Sequence, residues 1–301
     1  MSCAAPGTGR RGPPAVPSGV ADVDRLMSVG VADVHLVQDP GAGFAGGPGS
    51  GMRPSGESPI DRGAGGRIHL SLMQGFALSA DQRPVSIPLS AQRVVAFIAL
   101  RNRPTLRPYV AEMLWLDATQ DRAMANLRSA LWRLRQPGTA IVEASGDYLS
   151  LGPRVAVDVV DLMAWSHAML TGAAGPACER VDEIVDAGDL LPDWYDEWVL
   201  IERERVRQLR LHALERACVE LTTMGEFGRA IEAGMAAIAE EPLHESGHVA
   251  LINAHLGEGN RAEALRQYET YVRLMRDELG LGPSPDVAAL VSGLCAAASA
   301  V

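Results

Sequence analysis

Three stretches of this sequence hold side chains, or a glycine pattern, whose types and spacing could do chemistry. His244-Glu245-Ser246-Gly247-His248 fits H-E-x-x-H, in which two histidines one helical turn apart bind zinc and the glutamate activates a water. Gly41-Ala-Gly43-Phe-Ala-Gly46 spells G-x-G-x-x-G, whose glycines let the backbone approach a pyrophosphate at a helix N-terminus. Between residues 122 and 136 lie Arg122, Asn126, Arg128, Ser129, Trp132, Arg133 and Gln136. Arginine grips phosphate or guanine bidentately, Asn and Gln read adenine, and Ser contacts either, so this set suits readout of a DNA major groove.

The elements that must position these residues separate the three. Gly47-Pro48-Gly49 follows the glycine pattern where a helix would have to begin, so that match is an accident of composition. The H-E-x-x-H segment starts just after Pro242, Gly247 weakens any helix there, and a third ligand would have to come from His255 or Glu269. Its histidines are expected to be solvated. Without lysine no phosphate-binding G-x-x-x-x-G-K-[ST] loop exists and Schiff-base chemistry is excluded. The expectation is no enzymatic activity, no cofactor and no metal.

The arginine-rich stretch has the positioning element it needs. Leu127, Ala130, Leu131 and Leu134 recur at i, i+3, i+4 and i+7, a stripe that must face a core, and at 100° per residue the candidate readers lie on the opposite arc. Pro137-Gly138 stops this helix, predicted over 122–136. Before it, 68–72 alternates apolar and polar residues, and 76–78 and 85–87 flank the polar turn 80–83, the pattern of a small antiparallel sheet. Ser90 is a candidate N-cap for the apolar run 94–100, and 107–115 reads as a second helix. After it, 141–144 and 148–151 enclose Ser145-Gly146-Asp147 as a hairpin, with Gly146 permitting a tight tip and Arg154 within reach of phosphate. Tyr148 fits either the core or a groove, and Trp132 either DNA or packing against the hairpin or the following domain. Sheet, three helices and hairpin is the order of a winged helix of the OmpR type.

The charge is divided accordingly. The 301 residues carry a net −10, split as −1 over 1–66, +4 over 67–152 and −13 over 153–301, and all 27 basic residues are arginine. A moderately basic module followed by a strongly acidic one fits a DNA-reading head on an acidic body. Residues 1–66 hold 15 Gly and 8 Pro, which reads as disorder, with only a short apolar island at 31–37. Cys3, Cys178, Cys218 and Cys295 are far apart and read as reduced structural thiols. The sequence has neither an export signal nor a run of about 20 apolar residues, so a cytoplasmic, nucleoid-associated protein without membrane contact is expected.

Beyond residue 158 helical patterns dominate, the longest from 194 to 224. Gly225-Glu-Phe-Gly-Arg-Ala-Ile231 aligns with Gly259-Asn-Arg-Ala-Glu-Ala-Leu265 at a separation of 34, the tetratricopeptide period. Gly225, Ala230, Ala237 and Pro242 match its turn glycine, two close-packing alanines and terminating proline. Gly259, Ala264 and Tyr268 carry part of that pattern.

Several of these segments together resemble the Streptomyces antibiotic regulatory protein family. In the head they are Val94-Val95-Ala96-Phe97, Glu112-Met-Leu-Trp-Leu-Asp117, Asn126-Leu-Arg-Ser-Ala-Leu-Trp-Arg-Leu-Arg135 and Val157-Asp158. Leu191-Pro-Asp-Trp-Tyr-Asp-Glu-Trp198, Glu202-Arg-Glu-Arg205, Glu241-Pro-Leu-His-Glu-Ser246, Gly259-Asn-Arg-Ala-Glu-Ala-Leu-Arg-Gln-Tyr-Glu269 and Asp277-Glu-Leu-Gly-Leu-Gly-Pro-Ser-Pro285 look like that family's bacterial transcriptional activation domain. The resemblance implies an activator that binds double-stranded DNA at direct repeats, as a possible homodimer, and recruits RNA polymerase, often within a biosynthetic cluster. Two features depart from the family: the glycine-rich extension has no counterpart in its short members, and no nucleotide-binding domain follows as in its large ones. The expected architecture is an α+β winged helix followed by an all-α, tetratricopeptide-like helical repeat domain: 1–66 an extension, 67–155 the DNA-binding domain, 156–297 the activation domain. The alternative is a helical-repeat adaptor that binds another regulator without reading DNA.

Overall fold

The computed structural model describes residues 67–135, 140–172 and 174–298. The glycine-rich extension, its apolar island and its G-x-G-x-x-G match lie outside the described residues, as does Gln136. Strand β1 (Ile68–Ser71) buries Ile68 and Leu70 and exposes His69 between them, the alternation of a half-buried strand. It pairs antiparallel with β2 (Ala77–Ala80), which turns through Asp81-Gln82, both at positive φ, into β3 (Arg83–Pro84). The sequence places a third strand at 85–87; the pairing is instead two residues long and precedes it. Pro84 has no N–H to donate and β3 is the edge strand, the position where proline is tolerated. A fourth strand, β7 (Val155–Val157), runs parallel to β1 on its other side and completes the order β3-β2-β1-β7. Three residues are too few to announce themselves by periodicity.

Helix α1 (Leu89–Arg101) buries every residue from Val94 to Leu100. It starts one residue before Ser90, with Pro88 at the N-cap and no side-chain cap. Strand β4 (Thr105–Leu106) leads into α2 (Arg107–Leu114), and α3 (Gln120–Arg133) follows. Ala123, Leu127 and Ala130 of α3 are buried and Leu134 caps it, so the apolar stripe faces the core as its spacing requires, on a helix shifted toward the N-terminus relative to 122–136. Strands β5 (Val142–Ser145) and β6 (Tyr148–Leu151) form the hairpin, and β4 extends it to a three-stranded sheet, β4-β6-β5.

The body opens with α4 (Asp158–Leu170), α5 (Ala174–Ala177), a 3-10 turn (Cys178–Arg180) and α6 (Val181–Val185). Then come α7 (Glu197–Met224), α8 (Phe227–Glu240), α9 (Glu245–Glu258), α10 (Arg261–Leu279) and α11 (Pro285–Ala298), each packed on the next. Gly225 and Gly259, 34 residues apart, end α7 and α9 in the left-handed conformation at φ 78 and 85°, which glycine adopts without a Cβ clash. Ala230, Ala233 and Ala237 bring α8 close against its neighbours. In α10 the fully buried aromatic is Tyr271 rather than Tyr268, which is half-buried. Cys178 and Cys218 are free and buried, and burial pushes the Cys218 thiol up to about 12.

Head and body share one core that runs from Ile68 to Ala254. Where the two halves meet, the half-buried Asp158 carboxylate, in the first turn of α4, accepts from the Ser71 hydroxyl at 2.6 Å, the Leu72 amide at 2.9 Å and the Met73 amide at 3.0 Å. Around it Leu191 N donates to Leu72 O and Gln74 N to Asp189 O. Phe76 stacks on Trp194 and Phe97 meets Trp198 edge-on, with centroids 6.0 and 5.2 Å apart. Arg93 pairs with Asp196, and Arg101 with Glu202 at 3.5 Å.

The histidines expected to be solvated are not alike. His248 is 1% exposed, with Nε2 2.9 Å from Pro242 O and Nδ1 2.8 Å from Gln267 Nε2. The pair is satisfied when Nε2–H donates to the carbonyl and Nδ1 accepts from the amide, the neutral imidazole. Burial lowers the His248 pKa, against the Pro242 carbonyl, which favours the charged form. Glu245 accepts from the Tyr271 hydroxyl at 2.9 Å and the Ser284 amide at 3.1 Å. The motif's glutamate and second histidine are thus committed to packing.

Two measurements follow. Asp158→Ala strands the Leu72 and Met73 amides, and urea unfolding should show a loss of about 2–3 kcal/mol, the scale of hydrogen bonds to a charged group. Because unfolded His248 takes a proton near pH 6.5 and the folded residue does not, stability should fall as pH drops below about 6.5. Unfolding free energies at two pH values should show a smaller fall in His248→Gln than in the parent.

Candidate nucleic-acid interface

The predicted readers fall on one side of α3 and on the hairpin beside it. Arg122, Arg128, Ser129, Trp132 and Arg133 are exposed on α3, Trp132 at 72%, and Asn126 is half-buried. Gly146 is exposed at the tip of the neighbouring wing, and Arg154 is exposed in the turn between the wing and β7. The Ser129 hydroxyl donates to Ala125 O at 3.0 Å within its own helix, so it is left with acceptor capacity toward a ligand. Tyr148, open to two readings from the sequence, is 48% exposed on β6 and not core. Trp132 lines the cleft between α3 and the wing rather than packing into the core.

The wing is short and held at both ends. Gly146, at φ 57°, opens a two-residue turn between the paired Ser145 and Tyr148, as tight hairpins with glycine at the first central position require. Arg107 N donates to Asp147 O at 2.8 Å, which fixes the turn against the start of α2. Gly152 packs so tightly that a Cβ there would lie 2.0 Å from Ala140 O, so the strand after the wing cannot shift toward that backbone.

Between α3 and the wing lies a cleft of about 910 Å³ whose walls include Arg107, Arg128, Trp132, Arg135 and Arg154. Arg107 is the residue that sequence reasoning missed. It is half-buried, and its Nε has no hydrogen-bond partner. Its only signal in the sequence is an arginine at the first position of a helix before proline.

Ion pairing is denser in the body than in the head, although Arg203, Arg261, Arg273 and Arg276 of the body also have no carboxylate within 4.0 Å among the described residues. In the body, Arg207, Arg210, Arg216 and Arg229 each pair with a carboxylate, and Arg210 also donates to the carbonyls of Ile184, Val185 and Gly188. In the head, the two paired arginines, Arg93 and Arg101, are those that reach the body. Among the described residues no carboxylate lies within 4.0 Å of Arg107, Arg122, Arg128, Arg133, Arg135 or Arg154. Guanidinium groups without carboxylate partners, spread along α3 and at the start of α2 and the turn before β7 that border the wing, are available to phosphate oxygens and base edges.

Comparison with known proteins agrees with this architecture. Residues 166–294 match the family model of the bacterial transcriptional activator domain. Regulatory protein AfsR of Streptomyces coelicolor is 27% identical over 213 residues, covering 66% of this chain and 21% of that protein. The AfsR of Streptomyces griseus is 26% identical over 213 residues, covering 67% and 22%. The chain therefore spans about a fifth of the length of these curated relatives. A structure of Mycobacterium tuberculosis EmbR, in complex with a low-affinity phosphopeptide, superposes with a TM-score of 0.58 at 22% identity, covering 75% of this chain and 64% of that one. That likeness is one of fold. The activator-domain match, the AfsR relatives and the shared fold make the chain similar to the Streptomyces antibiotic regulatory proteins, as a winged helix followed by a helical domain that matches the bacterial transcriptional activator domain over residues 166–294.

Proposed function

We propose that this chain is a sequence-specific DNA-binding transcriptional activator. Residues 67–155 bind double-stranded DNA, with α3 in the major groove and the wing on the flanking backbone. Residues 156–297 form the activation domain that contacts RNA polymerase. The observation that carries this reading is the gathering of Arg107, Arg122, Arg128, Arg133, Arg135 and Arg154, none with a carboxylate partner among the described residues, on and around α3 and its cleft, in a chain whose acidic half pairs several of its own arginines. The activator-domain match and the similarity to the AfsR proteins support the same reading, and direct-repeat sites bound by two copies are the arrangement that the resemblance suggests. The reading includes no catalysis and places the protein with the nucleoid; among the described residues no helix is long and apolar enough to cross a membrane.

Within this reading the residues have separable roles. Arg128 and Arg133, with Asn126, face base edges, whereas Arg107 and Arg154 flank the cleft and suit phosphate. Trp132 and Tyr148 offer apolar surface to a sugar or a thymine methyl. Contacts to phosphate release counterions, so affinity falls with salt in proportion to their number.

Fluorescence anisotropy with a selected operator duplex tests these roles. Arg133→Ala should weaken specific binding by about 10- to 100-fold, the worth of one bidentate base contact. Arg154→Ala should instead weaken all sequences alike and reduce the slope of log affinity against log salt by about 1. A helical-repeat adaptor would be indifferent to both substitutions and to salt.

A further inference from the structure

The body holds a second cluster of chemistry-bearing side chains, away from the head. His212 and Glu215 stand one turn apart on α7, and His244 caps the N-terminus of α9. One ligand atom from each lies within 4.8 Å of the others. His244 Nε2 is 3.1 Å from Glu215 Oε2, His212 Nδ1 is 3.9 Å from the same oxygen, and the two rings are 5.5 Å apart. From this convergence we infer that His212, Glu215 and His244 form a site for a late first-row divalent metal ion that clamps α7 to the start of α9.

The geometry is close to what such an ion requires. Bonds of about 2.0–2.2 Å at a tetrahedral angle set ligand atoms roughly 3.3–3.5 Å apart. The His244–Glu215 pair, at 3.1 Å, is a few tenths of an ångström closer than that. His212 Nδ1, 3.9 Å from the Glu215 oxygen and within 4.8 Å of the His244 ligand atom, must move toward both, and its side chain is 49% exposed. Two imidazoles and one carboxylate select zinc and its neighbours, and they disfavour magnesium and calcium, which take oxygen ligands. The segment from residue 153 onward carries a net −13, so the local field favours a cation. Three protein ligands leave a fourth position for water, and the ion would take the His244 Nε2 lone pair in place of the contact that the Ser246 hydroxyl makes with that nitrogen at 2.9 Å.

This site uses one histidine of H-E-x-x-H with partners that the motif does not name. Glu245 is spent on Tyr271 and Ser284, and His248 is turned toward Pro242 and Gln267. Neither takes part, so the ion is a clamp between helices and not the centre of a hydrolase.

Calorimetric titration of the untagged, chelator-treated full chain with zinc chloride tests the site, with thermal melting as a second readout. One ion per chain is expected, with affinity lowered at least tenfold in both His212→Ala and His244→Ala and unchanged in His167→Ala. Zinc should raise the melting midpoint of the parent and not of His212→Ala, and magnesium should do neither. Glu215→Gln, which preserves shape, should weaken binding while melting like the parent without metal. No zinc binding, or binding equally strong in His212→Ala and His244→Ala, would overturn the inference.

Discussion

The carboxylate of Asp158 holds this molecule together at the point where its two halves meet. It begins α4, the first helix of the body, and it accepts hydrogen bonds from three consecutive residues at the end of β1, the first strand of the head. β7, which ends at Val157, lies parallel to β1, so the chain that leaves the wing is pinned to the chain that enters the sheet. Hydrogen bonds to a charged acceptor are among the stronger ones available. The aromatic contacts of Phe76, Phe97, Trp194 and Trp198 then fill the space that this pin defines. Head and body consequently share one core, and the orientation of α3 relative to the activator domain is set by packing and not by a linker.

That rigidity matters because the proposed function gives the two halves different tasks. A DNA-reading surface needs cations without internal partners; a stable acidic repeat needs its cations paired. The division is visible in individual residues. Arg210 is 6% exposed and fully engaged by Glu240 and three backbone carbonyls, whereas Arg128 and Arg133 are exposed and unpaired. Burial raises the Glu240 pKa, opposed by Arg210, so this pair specifies how α7 and α8 meet more than it adds net stability. A net charge of −10 for the whole chain is thus compatible with a cationic reading face, because the negative excess resides in the body.

Much of this was legible in the sequence. The i, i+3, i+4, i+7 stripe of α3 located the core side of that helix, and therefore its outward face, before any coordinates. The separation of Gly225 and Gly259 gave the repeat period, and both cap helices in the left-handed conformation. What escaped has physical causes. β7 and β4 are too short to carry a period and exist because other strands pair with them. The end of α3 was set too late because Leu134 keeps the apolar spacing while already serving as cap. Arg107 reaches the cleft only through a tertiary contact, its amide on the wing turn. His248 reads as a solvated repeat histidine until the helices that bury it are assembled. Tyr271 rather than Tyr268 fills the core of α10 because burial there depends on how α9 and α11 approach, which no local pattern encodes.

The most direct measurement is sequencing of the genomic DNA fragments that the full chain retains at about 150 mM salt, where weak nonspecific contacts are screened. Enrichment of one repeated sequence motif upstream of promoters is the expected result, because a fixed α3 with unpaired arginines should read a defined set of base edges. Featureless recovery of fragments, or none, would contradict direct readout and leave the helical body as the functional part.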